Sequence, residues 1–522
     1  MENNRLVKGK NTVVASARKE ASQIGIDILK KGGNAVDAAV ATGFALGVCE
    51  PSTSGIGGGG FMMIKSANHQ EPILIDFREV APEAASADMW KVNSDGGVVD
   101  NENSIGGKSV GVPGEVAGLI YALENYGTMS LKEVMEPAIR LAEEGFVITD
   151  MMCNHFFEKP IKNDKYYDNL QIGQVYKNLD LANTLRIISV EGKNVFYEGE
   201  IAKRLIKAIN DNNGLLTKKD LSDYKVFVKK PVVGEYRGFK IYSSSLPSSG
   251  GTHIIQMLNI LENFDISAIE VNSADYIHLF SEAMKVTYSD RAKYMADERF
   301  YDVPVLGLTS KVYAKEIADN INLDYATIIK GFNPWDYEHN DTTHYSVGDK
   351  DNNIVAVTKT INHFCGSRII PEGTGFILND TMADFSTDKY SINAPEAFKK
   401  PLSSMSPTII MKGDKPFASL GSPGGEKIIC IVAQVISKLI DHHMNIDEAI
   451  ASPRFSDNLD NKVMYENRIS QEAISQIEKM GHPIQKLLDF DIKMGGVQGI
   501  VYLNDGIEGS ADPRRDGKAI GI

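Results

Sequence analysis

The chain changes character after Pro334. Before that point helical periodicity dominates, most clearly between Glu115 and Asn320, where GTHIIQMLNILENF and SADYIHLFSEAMKVTYSDRAKYMADE read as helices. After it, THYSVGD, NIVAVTKTI, GFILND, PTIIMKG and KPFASLG follow as short β segments divided by turn residues. A fold for this sequence must therefore join an early helical part to a late strand-rich one. The polar, turn-rich junction GFNPWDYEHND, residues 331–341, reads as a linker and ends on two adjacent threonines, Thr342 and Thr343. Further on, helices from about Glu426 to Ile440 and near Ile446 and Glu472 are interleaved with the strands VMYE and GIVYLN.

The N-terminal part opens with a helical stretch from about Ser16 to Lys31 that stops at Gly32-Gly33, and Asn34 is placed to cap an Ala-rich second helix running to about Cys49. EPSTSGIGGGGFMMIK and PILIDF then read as a glycine turn and two strands. GIGGGG satisfies G-x-G-x-x-G, but a dinucleotide fingerprint has a strand before it and a helix after it, and the order here is reversed. A tight turn that lets two backbones approach closely is the better reading. With no GK[ST] following, a phosphate loop is excluded as well.

At 522 residues, with 43% hydrophobic and 24% charged residues, the chain has material for one large globular unit. A formal charge of -14 opposes binding to nucleic acid or to an anionic membrane, both of which need a basic face. The start, MENNRLVKGKNTVVAS, has no apolar signal region, and no stretch is long enough to span a bilayer, so the chain as written is expected in the cytoplasm, or exported if a leader has been trimmed. Cys49, Cys153, Cys365 and Cys430 are far apart in apolar contexts and read as reduced thiols. His442, His443 and the other eight histidines are read as lacking an i, i+4 pairing with a helical glutamate, which argues against a zinc hydrolase site.

Three polar clusters remain. Asp76-Phe77-Arg78-Glu79 sits where a β segment meets a loop, and an arginine there suits bidentate capture of a carboxylate. Pro401-Leu402-Ser403-Ser404-Met405-Ser406 is rich in small hydroxyls. Gly421-Ser422-Pro423-Gly424-Gly425 joins a strand to a helix, so its backbone N–H groups can face a developing negative charge.

Taken together, KKGGNAVDAAVA, EPSTSGIGGGGFM, IDFREVAP, VGVPGEVAGL, LPSSGGTHIIQMLNILE, EAMKVTYSDRAKYMAD, DTTHYSV, KPLSSMSPTI, LGSPGG and ADPRRDG give the chain, over nearly its whole length, a resemblance to the gamma-glutamyltranspeptidase family. The resemblance implies an α+β fold, the αββα sandwich of N-terminal nucleophile hydrolases, without metal or cofactor. It implies a precursor that cuts itself between Asp341 and Thr342 into a large subunit, residues 1–341, and a small subunit, residues 342–522, which stay in one globular unit. Thr342 would then be the nucleophile, with its freed α-amino group, of reference pKa about 7.7–8.0, as the base. Thr360 and Asn362 match residues that support the nucleophile and bind substrate. Arg78, Ser403 and Ser404 match the grip on the substrate α-carboxylate, Asp384 the acid that binds its α-amino group, and Gly424 and Gly425 the oxyanion hole. The implied partners are a γ-glutamyl amide such as glutathione and an accepting amino acid or water.

Two features depart from the family pattern. Thr381 stands where Gln or Glu is usual, three residues before Asp384, which alters the expected α-amino pocket. The interval STDKYSINAPEAFKKPL is short for a lid loop, so the site is expected to be open, as in relatives acting on poly-γ-glutamate or on glutaryl β-lactams. Arg368 is a candidate for a further carboxylate, with a structural ion pair as the plainer reading. An amidohydrolase or acylase with another acyl group is the alternative, and a non-catalytic scaffold is disfavoured because it needs no nucleophile, clamp and oxyanion turn together.

Overall fold

The computed structural model of the chain describes residues 5–94, 96–158, 161, 165–327, 341–457 and 462–522. Two seven-stranded antiparallel sheets form its centre. The first runs, edge to edge, Lys518–Gly521, Val13–Ser16, Asp341–Gly348, Ile354–Asn362, Gly59–Lys65, Ile73–Asp76 and Phe227–Lys229. The second runs Val7–Gly9, Gly506–Ala511, Gln498–Leu503, Lys415–Gly421, Thr408–Lys412, Phe239–Ser243 and Val232–Tyr236.

The period of two along each strand explains how the layers stack. In the first sheet Val14, Met62, Ile64, Tyr345, Val347, Val355 and Val357 point to a core shared with the helices Lys19–Lys30, Ala35–Cys49, Glu115–Tyr126 and Leu131–Glu144. Their neighbours Val13, Ala15, Phe61, Met63, Ile354 and Ala356 point the other way, into a core shared with Ile409 and Ile500 of the second sheet. The helices Gly250–Leu261, Ala274–Tyr294 and Ile428–Ile440 cover the second sheet. The order is helix, sheet, sheet, helix. Central strands buried on both faces need unbroken apolar runs, which IVAVT and GFMMI supply. Truncating one such side chain, as in Phe61→Ala, would cost about 3–5 kcal/mol.

Local signals hold where the chain is autonomous. Asn34 caps the second helix, accepting from the N–H groups of Val36 and Asp37, while Asp37 accepts from the Asn34 N–H. The glycine run has the close approach its composition suggested: a Cβ on Gly58 would lie 2.0 Å from the Thr360 carbonyl oxygen.

Two expectations are corrected. GFILND is no strand; the N–H groups of Leu378, Asn379 and Asp380 are spent on the carbonyls of Ile369, Gly57 and Ile361, so this segment braces the glycine turn and a strand end. The mostly helical middle also holds strands: besides the small pair Phe146–Val147 and Val175–Tyr176, the strands Phe227–Lys229, Val232–Tyr236 and Phe239–Ser243 supply an edge to each large sheet. Their charged, half-exposed residues suit edges and mask the strand pattern. The linker at 331–341 lies outside the described residues except for Asp341, which opens a strand. None of the four cysteines is in a disulfide. Among the described residues no helix is long and apolar enough to cross a membrane.

Candidate active site

Thr342 sits at an irregularity. The ladder between its strand and Ile354–Asn362 pairs Asp341 with Asn362 and Thr343 with Lys359, and the register shifts between Asp341 and Thr343. Thr360 and Ile361 thus stand opposite the single Thr342, a bulge in the Ile354–Asn362 strand, a geometry that re-aims side chains at a sheet margin. It is 4% exposed, and its Oγ1 lies 3.4 Å from that of Thr360. Thr360 Oγ1 in turn accepts from the Asn362 N–H at 2.8 Å. Asn362 has φ +81 and donates through its side chain to the Asp380 carbonyl.

Arg78 emerges just past the Ile73–Asp76 strand and is 1% exposed. Its guanidinium donates to Glu79 at 3.3 Å, to the Leu402 carbonyl at 3.4 Å and to the carboxylate of Asp384. Its Nε is buried without a hydrogen-bond partner. The loop beneath is fixed electrostatically. Asp76 accepts from the Arg78 N–H and from Lys400 at 2.7 Å, and although burial opposes ionisation, Lys400 and Lys229 hold its carboxyl below the usual range. Burial pulls Lys400 itself down to about 8. Burial raises the Glu79 carboxyl against the pull of Arg78, and the Thr381 hydroxyl donates to it at 2.8 Å.

Each serine of the pair has its oxygen already engaged by a fixed donor. Ser403 Oγ accepts from the Met405 N–H at 3.1 Å, and Ser404 Oγ accepts from Arg291 at 3.1 Å. A hydroxyl has one hydrogen, so both O–H groups are left to point elsewhere. The glycine turn places Gly424 at φ +130 and Gly425 at φ +57, conformations that favour glycine, immediately before the Ile428–Ile440 helix.

Arg78, Thr342, Thr360, Asn362, Asp384, Ser403, Ser404 and Gly425 line one cavity of about 210 Å³, and Gly424 adjoins it. The Asp341 backbone abuts Thr342 in the same strand. Sequence reasoning missed Arg291, Glu426, Asn101 and Asn103, which line the same cavity; only the YSDR and PGGE strings could have flagged the first two. His363 also lines the cavity, with Nδ1 2.5 Å from Asp380. His344 does not: it is buried between the sheets against Thr358 and Ser346, and burial lowers it to about 3. Thr381 is buried behind Glu79 and does not line the cavity, and Arg368 does not line it either. Ser386, Thr387, Ser391, Ile392 and Asn393 of the short lid interval form part of the rim, while Tyr390 points into solvent.

The reading of the histidines is corrected. His278 and Glu282 stand one turn apart on the Ala274–Tyr294 helix, and with His482 they gather three metal-type ligands within 4.8 Å. The Lys285 ammonium, 2.7 Å from Glu282, already neutralises that carboxylate, and His278 and His482 hydrogen-bond directly at 2.7 Å. The cluster also holds the backbone of Asn322 and Thr327. A buried polar network accounts for it without an ion.

The model of the family described as gamma-glutamyltranspeptidase matches residues 21–522. The chain belongs to the gamma-glutamyltranspeptidase family. It is 41% identical to a glutathione hydrolase proenzyme of Escherichia coli (strain K12), over 97% of this chain and 91% of that one. Among solved structures, the cephalosporin acylase of Bacillus halodurans superposes with a TM-score of 0.90 at 27% identity, covering 100% of this chain and 98% of that one. A gamma-glutamyltranspeptidase of Helicobacter pylori matches 59% of this chain and 91% of its own at 44% identity, with a TM-score of 0.57. The four-layer stacking is the N-terminal nucleophile hydrolase architecture expected of a gamma-glutamyltranspeptidase.

Proposed function

We infer that the chain is a self-processing γ-glutamyl hydrolase and transferase. The observation that carries this reading is the convergence of Thr342, Arg78, Ser403, Ser404 and Gly425 on one small cavity. In the uncut chain the Thr342 hydroxyl attacks the Asp341 carbonyl carbon, the C–N bond breaks in favour of an ester, and water hydrolyses the ester. Residues 1–341 then end in a carboxylate, and residues 342–522 begin with a free amine. That amine takes the hydroxyl proton of Thr342 as the oxygen attacks the γ-carbonyl of a substrate. The Gly424–Gly425 turn receives the oxyanion, and the departing amine leaves with the proton. Water or an amino acid resolves the γ-glutamyl ester on Thr342.

Arg78 and the two serine hydroxyls hold the substrate α-carboxylate in this reading, Asp384 meets the α-amino group, and Thr360 and Asn362 hold the nucleophile and acyl chain. Glutathione fits as donor. The neutral rim, with Asn101, Asn103, Thr387, Ser391 and Asn393, gives a polyanionic poly-γ-glutamate chain no run of cations. A glutaryl acylase is the second reading, supported by the 0.90 superposition on a cephalosporin acylase. Thr342→Ala should leave a single uncut polypeptide with no turnover of γ-glutamyl-p-nitroanilide; a cut, active Thr342→Ala protein would refute the proposal. Comparing γ-glutamyl with glutaryl anilide separates the two readings.

A further inference from the structure

One guanidinium ties three parts of the cavity wall together. Arg291, in the last turn of the Ala274–Tyr294 helix, donates from Nε to Ser249 Oγ at 3.0 Å, from Nη1 to Glu426 Oε1 at 2.8 Å and from Nη2 to Ser404 Oγ at 3.1 Å. Ser249 Oγ passes the contact on, donating to the Ser403 carbonyl at 2.8 Å. Glu426 directly follows Gly425, and Tyr288 of the same helix holds the Glu426 carbonyl at 3.0 Å. The arginine charge is met by Glu426, so Arg291 acts on a bound anion through its partners.

We propose that Arg291 is a positioning residue that fixes the serine pair relative to the glycine turn and aims the Ser404 hydroxyl at the substrate carboxylate. The proposal rests on the γ-glutamyl reading above. By filling an acceptor site on Ser404 Oγ, the guanidinium forces the hydroxyl hydrogen away from itself and into the cavity that Ser404 lines. By gripping Glu426, it sets where the Gly425 N–H stands with respect to that hydroxyl. In the γ-glutamyl reading these two points receive the two ends of the acyl group, its α-carboxylate and its reacting carbonyl. A lysine has a single point of charge and cannot span three acceptors in one plane.

The test is Arg291→Lys in the otherwise intact protein, with kcat and KM for γ-glutamyl-p-nitroanilide measured alone and in a Ser404→Ala background. Arg291→Lys should raise KM about tenfold or more, the scale of one hydrogen bond to a charged group, and should also lower kcat. In the Ser404→Ala background the KM effect should shrink markedly while the kcat effect persists, because only the paths through Ser249 and Glu426 remain. A purely structural role would lower thermal stability without that split. Should Arg291→Lys fail to fold, Glu426→Ala serves instead: it should lower kcat and leave KM near that of the parent, and the reverse pattern refutes the assignment. An active parent whose Arg291→Lys variant keeps both constants within twofold, or whose KM rises equally in both backgrounds, overturns the proposal. A parent that turns over no γ-glutamyl anilide removes the γ-glutamyl reading and this assignment with it.

Discussion

Arg78 donates to the carboxylate of Asp384 on the wall of the Thr342 cavity, so in the uncut chain the proposed cationic clamp is closed on an acid of the same protein. A ligand that takes Arg78 must leave Asp384 with a partner, because an unpaired, largely buried charge is costly. A γ-glutamyl group brings a carboxylate for the first and an ammonium for the second. A glutaryl group brings only the carboxylate.

Asp384→Asn should therefore lower kcat/KM for γ-glutamyl-p-nitroanilide by about 10- to 150-fold, the worth of one charge-assisted hydrogen bond. Glutaryl anilide should lose less. The ratio of the two kcat/KM values is the readout, and an unchanged ratio would dismiss Asp384 as the amine partner.

Gly424→Ala should chiefly depress kcat. At φ +130 a side chain brings backbone strain of about 1–3 kcal/mol, and relief of that strain would turn the N–H groups away from the reacting oxygen. Steady-state kinetics should show KM moving little, since Gly424 only adjoins the cavity lined by Arg78, Ser403 and Ser404, the proposed carboxylate grip.

Thr381→Val removes the hydroxyl donated to Glu79 and leaves a buried carboxylate oxygen short of a donor. Urea unfolding should report a loss of about 1–3 kcal/mol. KM should rise with it, because Glu79 is one of the groups that fix Arg78. Thr381 thus influences the pocket from behind it.

His155, His253 and His344 are each lowered to about 3, chiefly by burial. In the unfolded chain they take up a proton near 6.5. Stability from these neutral imidazoles is fully present above that value and is lost as pH falls from about 6.5 toward 3, where only the unfolded state binds the protons. Thermal midpoints should drop across that window, and His344→Asn should flatten the slope by up to about 1.4 kcal/mol per pH unit.

What could be read in the sequence follows from the range of the interactions involved. Asn34, the glycine run and the alternation of the central strands declare themselves within a few residues, because caps, close approach and two-sided burial act locally. The residues of the cavity wall were found through motifs, and their meeting across Arg78 to Ser404 is a property of the two sheets. Arg291 was invisible because its three partners lie 42, 113 and 135 positions away in sequence. GFILND misled because its apolar alternation serves bracing contacts instead of a ladder, and residues 227–243 misled because edge strands carry charge.

The order of strands in the first sheet bears on what a cut at Thr342 leaves behind. Val13–Ser16 and Gly59–Lys65, from before the scissile bond, flank Asp341–Gly348 and Ile354–Asn362, and Lys518–Gly521 closes the other edge. The two products are laced like fingers of two hands, so separating them means unravelling the sheet. Maturation is then a one-way event within each molecule, and pieces born together have no route by which to trade partners with pieces from another copy.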